Sequence, residues 1–149
     1  MPANPLRKLT RTLLSEPRAI LELLEAQTAL LLARLARHRT PLGRLVEESS
    51  SQSPADPRWE IPARRVSLAV DRAARLGLIR PTCLEQAMAM QRMLKRRGVE
   101  PGVIRIGVLL RDGRFAAHAW IQIGNRVLGD SSQRVSRFHR LTDVKAVDR

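Results

Sequence analysis

The only cysteine of this 149-residue chain stands in a stretch that predicts the first turn of a helix. Thr82 and Glu85 have the spacing of a capping box, in which the hydroxyl accepts from the backbone N–H of Glu85 and the carboxylate accepts from that of Thr82. Pro81 disfavours a helical conformation of the residue before it, so the helix should begin here. Cys83 would then be the first helical residue, where unpaired N–H groups and the helix dipole favour thiolate over thiol. That placement suits a nucleophile, although a buried structural cysteine can occupy it too.

Two further side chains could complete the chemistry of a cysteine nucleophile. The thiol needs a base that removes its proton and later protonates a leaving amine, and the base needs an acceptor that fixes its tautomer. His118 lies in the second of three predicted strands and Asp130 at the end of the third. We therefore expect Cys83 as nucleophile, His118 as base and Asp130 as orienting group. A lone histidine in a strand is more often an ordinary core or surface residue, so the hypothesis depends on the joint placement.

The strand register tests the orienting group. If the turn at 124–125 is a plain two-residue loop, Asp130 lies opposite Ala119 and therefore on the other face of the sheet from His118. We therefore predict an odd-length loop or a β-bulge, which would put Asp130 opposite Trp120 and diagonal to His118.

Helical geometry divides the cysteine helix into a stripe that should be buried and an opposite polar side. The Cys83 side chain falls on the stripe and therefore points along the packed face. The stripe holds Cys83, Ala87, Met90 and Leu94, and the opposite side holds Glu85, Arg92 and Arg96.

Composition bounds the class of protein. Hydrophobic residues make up 44% and charged residues 28%, which suits one soluble globular domain with a sizeable core. A single cysteine rules out an internal disulfide and suits a reducing cytoplasm, and the start of the chain lacks the apolar segment of a secretory signal. The sequence has no zinc-ligand spacing and no phosphate loop, so we expect neither a metal nor a cofactor.

The formal charge of +13 comes from 27 basic and 14 acidic residues. Such an excess is a feature of nucleic-acid-binding proteins, but here the basic residues are spread along the whole chain with few interleaved aromatics. We therefore expect no specific nucleic-acid partner. Attraction to an acidic peptide, or peripheral association with an anionic membrane surface, stays open.

Three parts follow one another along the chain. Residues 1–46 predict two helices, one short and basic and one long with a wide leucine stripe. Residues 47–58, rich in serine and proline, predict a polar surface connection. Residues 59–149 predict a core of two helices and a small antiparallel sheet, with a tail that either docks a last helix or stays loose. The predicted elements are helices at Leu6–Leu14, Pro17 to about His38, Pro62 to about Leu76 and Cys83 to a cap at Gly98, and strands at Val103–Leu110, Phe115–Ile123 and Arg126–Asp130.

Several segments resemble a known family, namely Thr82–Ala87, Gln91–Gly98, Ile106–Val108, Ala117–Trp120 and Asp130. They are similar to the leader-peptidase portion of the lasso-peptide biosynthesis B protein, over about Trp59 to Asp130. The resemblance implies an α+β fold in which N-terminal helices precede a papain- and transglutaminase-like core. In that core the cysteine, at a helix N-terminus, packs on a small antiparallel sheet.

By position, the resemblance implies a Cys83–His118–Asp130 triad in a cytoplasmic cysteine endopeptidase. Such proteins cut the leader from a ribosomally made precursor peptide, and an asparagine-synthetase-like macrocyclase then cyclises the freed N-terminus. Many relatives carry a leader-recognition domain before the protease. This chain begins with protease-type helices, so we expect leader recognition by a separate protein.

Three points stay open at the level of the sequence. The Cys83 N–H is the expected first donor to an oxyanion, and no second donor is identified. The same triad could pass the acyl group to an amine, as a transglutaminase or N-acyltransferase does. Alternatively, the chain could be a basic, non-catalytic binding module with a structural cysteine.

Overall fold

The structure, a computed structural model, describes residues 17–39, 56–77, 79–99 and 102–141. The helix predicted at Leu6–Leu14 and most of the predicted connection at 47–58 lie outside these residues. The predicted α+β class is confirmed: helices precede and cover a small antiparallel sheet. The elements are α1 (Pro17–Arg37), α2 (Glu60–Leu76), α3 (Cys83–Arg96), β1 (Val103–Arg111), β2 (Arg114–Ile123), β3 (Arg126–Leu128), α4 (Ser132–Val135) and β4 (His139–Arg140).

The three long helices form one layer because each buries an apolar side against the other two. All three were predicted, and α2 begins two residues earlier than expected, after a 3-10 turn at Pro57–Trp59. None of the described helices has the length and apolar composition that crossing a bilayer requires. The shared core is built from small and aliphatic side chains, among them Ala26, Leu30, Ala33, Val66, Val70, Ala73, Met93 and Leu94.

The sheet is antiparallel, with the strand order β3-β2-β1-β4. β1 and β2 form the predicted hairpin, whose turn residues Asp112 and Gly113 have φ values of 52° and 72°, as a type I′ turn requires. His118 and Trp120 alternate with residues that pack on the helices, so their side chains lie on the other face of the sheet. The helix-facing residues are Ile104, Ile106, Ala119, Ile121 and Ile123.

The residues after β3 return across the second face of the sheet. Ser131 caps α4, accepting from the N–H of Arg134. β4 then pairs with β1 at Gly107 and Val108, which places a short unpredicted strand at that edge. The described part of the tail therefore docks, although its helix is a single turn.

Candidate active site

Cys83 is the first residue of α3, and both halves of the predicted capping box are present. The N–H of Glu85 donates to Thr82 Oγ1 at 3.3 Å, and the N–H of Thr82 donates to Glu85 Oε2 at 2.8 Å. The described residues offer no hydrogen-bond acceptor to the N–H groups of Cys83 and Leu84. The N–H beside the sulfur is therefore available to a developing oxyanion.

Glu85 is buried, whereas the sequence interpretation placed it on the polar side of α3. Its side chain is only 2% exposed, because α1 covers this side of the helix. Arg37 of α1 supplies the compensating charge, with Nε 3.2 Å from Glu85 Oε1. A buried carboxylate requires such a partner. The Glu85 carboxylate therefore ties the first turn of α3 to α1.

The structure brings His118 and Asp130 into contact, with a hydrogen bond between His118 Nε2 and Asp130 Oδ2. Each side chain is only 12% exposed. An ionised carboxylate can only accept a hydrogen bond, so Nε2 is the donor in this contact. Nδ1 is then the ring nitrogen that can accept a proton from a thiol. Asp130 Oδ1 accepts from the N–H of Ser131 at 2.7 Å, and Arg134 Nε lies 4.0 Å from Oδ2. The catalytic roles of the pair remain predictions.

Asp130 does not reach the imidazole by the predicted route. Ile123 pairs with Arg126, so the loop has two residues and no bulge; the predicted odd-length loop or bulge is wrong. The predicted extent of the third strand is also wrong, because β3 ends at Leu128. Gly129 then adopts a φ of +76°. Side chains alternate between the two faces only while the residues belong to the hydrogen-bonded ladder. Asp130 follows the left-handed Gly129 and lies outside the ladder, so the alternation does not fix its position.

Cys83, His118 and Asp130 line one cavity of about 510 Å³. It opens where β3 has ended, since β3 pairs only with residues 121–123 of β2. Cys83 and His118 therefore border the same space, as a proton transfer between them requires. Gln86 and Trp120 also line this space. No cluster of three or more His, Cys, Asp or Glu side chains in the described residues could hold a metal ion.

Two aromatic rings and a glycine set the environment of the imidazole. The ring centroids of Trp120 and Phe138 lie 6.1 Å and 5.2 Å from that of His118. Gly107 is the cross-strand partner of His118. A Cβ there would lie 2.7 Å from Phe138 Cβ and 3.0 Å from two ring carbons of Trp120. The missing side chain therefore makes room for the Cβ of Phe138 and the ring of Trp120.

Sequence reasoning missed Gly107 and Phe138 as neighbours of the site. An isolated glycine within a β-branched and aliphatic strand is a signal of close approach, and Gly107 carried it. Phe138 gave no such signal, because its position depends on the return of the tail to β1.

Comparison with known protein families finds one family whose model matches this chain. The family described as the transglutaminase-like superfamily matches residues 23–143, which include most of α1 and every later helix and strand. No curated protein and no solved structure matches the chain. The superfamily includes cysteine proteases and acyltransferases, whose chemistry begins with a thiol nucleophile. This chain belongs to the transglutaminase-like superfamily.

Proposed function

We propose that this chain is a cytoplasmic cysteine endopeptidase that removes the leader from a ribosomally made lasso-peptide precursor. One observation supports the chemistry: Cys83, His118 and Asp130 line a single cavity, and the imidazole is hydrogen-bonded to the carboxylate. The substrate class is supported by the resemblance of Thr82–Ala87 and Ala117–Trp120 to the lasso-peptide B protein. The superfamily match itself is compatible with several substrates.

The proposed reaction begins with transfer of the Cys83 proton to His118 Nδ1 and attack of the sulfur on the scissile carbonyl carbon. The Cys83 N–H donates to the oxyanion that forms. The imidazolium then protonates the leaving amine, the C–N bond breaks, and the leader remains as a thioester on the sulfur. Asp130 keeps the imidazole in the required tautomer and stabilises its charged form.

The second half-reaction releases the leader. His118 removes a proton from a water molecule, which attacks the thioester carbonyl. The C–S bond breaks, and the proton held by the imidazole returns to the sulfur. An amine in place of that water would give acyl transfer, which is the rival that superfamily membership keeps open.

Incubation with a lasso-peptide precursor from the same genome tests the proposal. The assay is run alone and with the two expected partners, a leader-recognition protein and an asparagine-synthetase-like macrocyclase. Without the macrocyclase, mass spectrometry should find two fragments whose masses sum to the precursor plus one water. Where the macrocyclase has closed the core peptide, the sum should equal the precursor, because ring closure releases one water. Acyl transfer would instead join the leader to an amine.

Cys83→Ala and His118→Ala should abolish product formation. His139→Ala is the matched control, because this exposed histidine does not line the cavity. Cleavage by Cys83→Ala at the wild-type rate, or none by the wild type with both partners present, would refute the peptidase. Binding of the precursor that falls steeply with salt and ignores Cys83→Ala would favour the non-catalytic module instead.

A further inference from the structure

A second cavity, of about 660 Å³, forms a groove between α2 and β3. One wall is a stripe of α2 side chains three or four residues apart, which share one side of the helix. The opposite wall is β3 itself, followed by the turn that leads to Asp130. The α2 stripe consists of Ile61, Arg64, Leu68, Asp71 and Arg75.

This groove is continuous with the cavity that holds the triad. Five residues line both spaces: Asp71, Arg75, Leu128, Gly129 and Asp130. At the other end, a salt bridge joins Arg126 Nη2 to Glu60 Oε1 at 3.1 Å. The groove therefore runs from this salt bridge to the candidate catalytic residues.

β3 presents a backbone edge to the groove, since it is an outer strand of the described sheet. Ile123 and Arg126 flank the two-residue loop, so they form a hydrogen-bonded pair. The next pair, Gln122 and Val127, is then non-hydrogen-bonded, and the N–H and C=O of Val127 point away from β2. Val127 lines the groove, and no described residue bonds to these two groups. They offer one site for strand addition.

The wall opposite this edge offers apolar surface. Ile61 is 68% exposed and Leu68 is 44% exposed, and they lie two helical turns apart on the same side of α2. Charges along the groove are largely neutralised by ion pairs. Arg75 Nε lies 3.0 Å from Asp71 Oδ1, and Glu60 pairs with Arg126 at the far end. Apolar contact and backbone pairing, rather than net charge, are therefore what this groove offers.

We propose that the groove binds the acyl-side segment of the polypeptide substrate as an added β-strand beside Val127. An apolar side chain of that segment packs against Ile61 and Leu68. This inference rests on the proposed acyl chemistry at Cys83, in which the acyl segment stays bound through both half-reactions while the amine leaves after the first. In leader removal, the segment is the C-terminal end of the leader.

Cysteine-directed peptide probes test the groove without requiring turnover. Peptidyl acyloxymethyl ketones alkylate a thiol: the sulfur forms a bond to the methylene carbon as the carboxylate leaves. Four probes carry a single leucine at successive positions of an otherwise alanine peptide, beside an all-alanine probe. We expect leucine at one position to accelerate labelling of Cys83 about tenfold, as measured by intact mass. An N-methyl group on the residue that pairs with Val127 should slow that labelling.

Leu68→Arg and Ile61→Arg should remove the leucine effect. Leu110→Arg, at a residue that is 70% exposed and outside the groove, should leave it unchanged. Iodoacetamide, which needs no groove, should label all these variants at the wild-type rate, and this confirms an intact site.

The outcomes of these experiments test the groove proposal separately from the peptidase proposal. Equal labelling rates with all five probes would overturn the proposal that the groove binds the acyl-side segment. So would a leucine effect that persists in Leu68→Arg and Ile61→Arg. Another outcome is that the wild type fails to cleave the precursor while leucine accelerates labelling of the wild type but not of Leu68→Arg and Ile61→Arg. That result would support the groove proposal and refute the peptidase proposal. Precursor cleavage with no leucine effect overturns the groove alone.

Discussion

Replacing Gly129 by alanine tests whether the turn after β3 is what presents Asp130 to the imidazole. Gly129 has a φ of +76°, a left-handed conformation that costs a residue with a Cβ about 1–2 kcal/mol. The added Cβ would overlap Met90 Cε and lie 2.9 Å from its sulfur. A methionine tip can move, but Met90 is only 4% exposed, so part of the strain should be relieved by a shift of the turn.

The expected effect on activity is larger than the effect on stability. A loss of about 1–2 kcal/mol leaves a domain with an ordinary unfolding free energy of about 5–15 kcal/mol almost entirely folded. A misplacement of about 1 Å near the chemistry costs about 10²-fold in rate. Losing the orienting carboxylate altogether costs about 10⁴ in kcat. We therefore expect Gly129→Ala to lower kcat for precursor cleavage about 10²-fold, less than Asp130→Ala does.

Gly98→Ala is the matched control. Gly98 also has a left-handed φ, of +68°, but nothing lies within 4 Å of an added Cβ, and it follows the end of α3 opposite to Cys83. Gly98→Ala should lose about 1–2 kcal/mol in urea unfolding, and Gly129→Ala at least as much because of the Met90 contact, yet both should stay folded and only Gly129→Ala should lose cleavage. If the two retain the same cleavage rate, the turn does not position Asp130 and this reasoning fails.

Three other perturbations test contacts elsewhere in the molecule. Gly107→Ala should slow precursor cleavage at least about tenfold, since the added Cβ forces Phe138 away from the imidazole; an unchanged rate would contradict this. The hydrogen bond and charge of Arg97 lower the pKa of Glu25 from its usual 4.5, so the pair stabilises the fold above about that pH and loses its effect as pH falls through the lower folded-state pKa. Glu25→Gln should therefore cost about 1 kcal/mol in urea unfolding at pH 7, and the difference from wild type should vanish once the carboxyl is protonated. Glu85→Gln removes the counter-charge of Arg37, whose side chain is 38% exposed, so water takes over part of the lost interaction. We therefore expect a cost of about 1–2 kcal/mol in the same assay at pH 7; a neutral result would mean that α1 does not depend on this ion pair.

The parts of the site that sequence alone could predict depend on short-range interactions. The capping box follows from the three-residue spacing of Thr82 and Glu85, and it needs no other element. The turn at Asp112 and Gly113 follows from the backbone preferences of those two residues. Alternation along β2 likewise put His118 on the face opposite Ala119, as observed.

The parts that sequence could not predict depend on contacts between distant segments. Glu85 reads as polar surface from the periodicity of α3, yet α1 covers it and Arg37 neutralises it. The short pairing of β4 with β1 brings Phe138 beside the imidazole, and no local pattern encodes that return. Which side of a helix is covered, and where a tail docks, are set by tertiary packing.

The end of β3 is the feature on which the candidate site depends most, because the proposed nucleophile and the proposed base come from opposite sides of the sheet. α3 packs on the face that carries Ala119, whereas the His118 side chain lies on the other face. A third strand continuing beside His118 would separate the two. β3 stops at Leu128 instead, and the cavity is lined by residues from both faces of β2, so it reaches around the open edge. The left-handed turn at Gly129 then sends Asp130 to the imidazole across that opening. One interruption of the ladder thus lets Cys83 and His118 line one space and also brings the Asp130 carboxylate to the imidazole. The regular hairpin register, which by itself argued against Asp130, is therefore compatible with the triad.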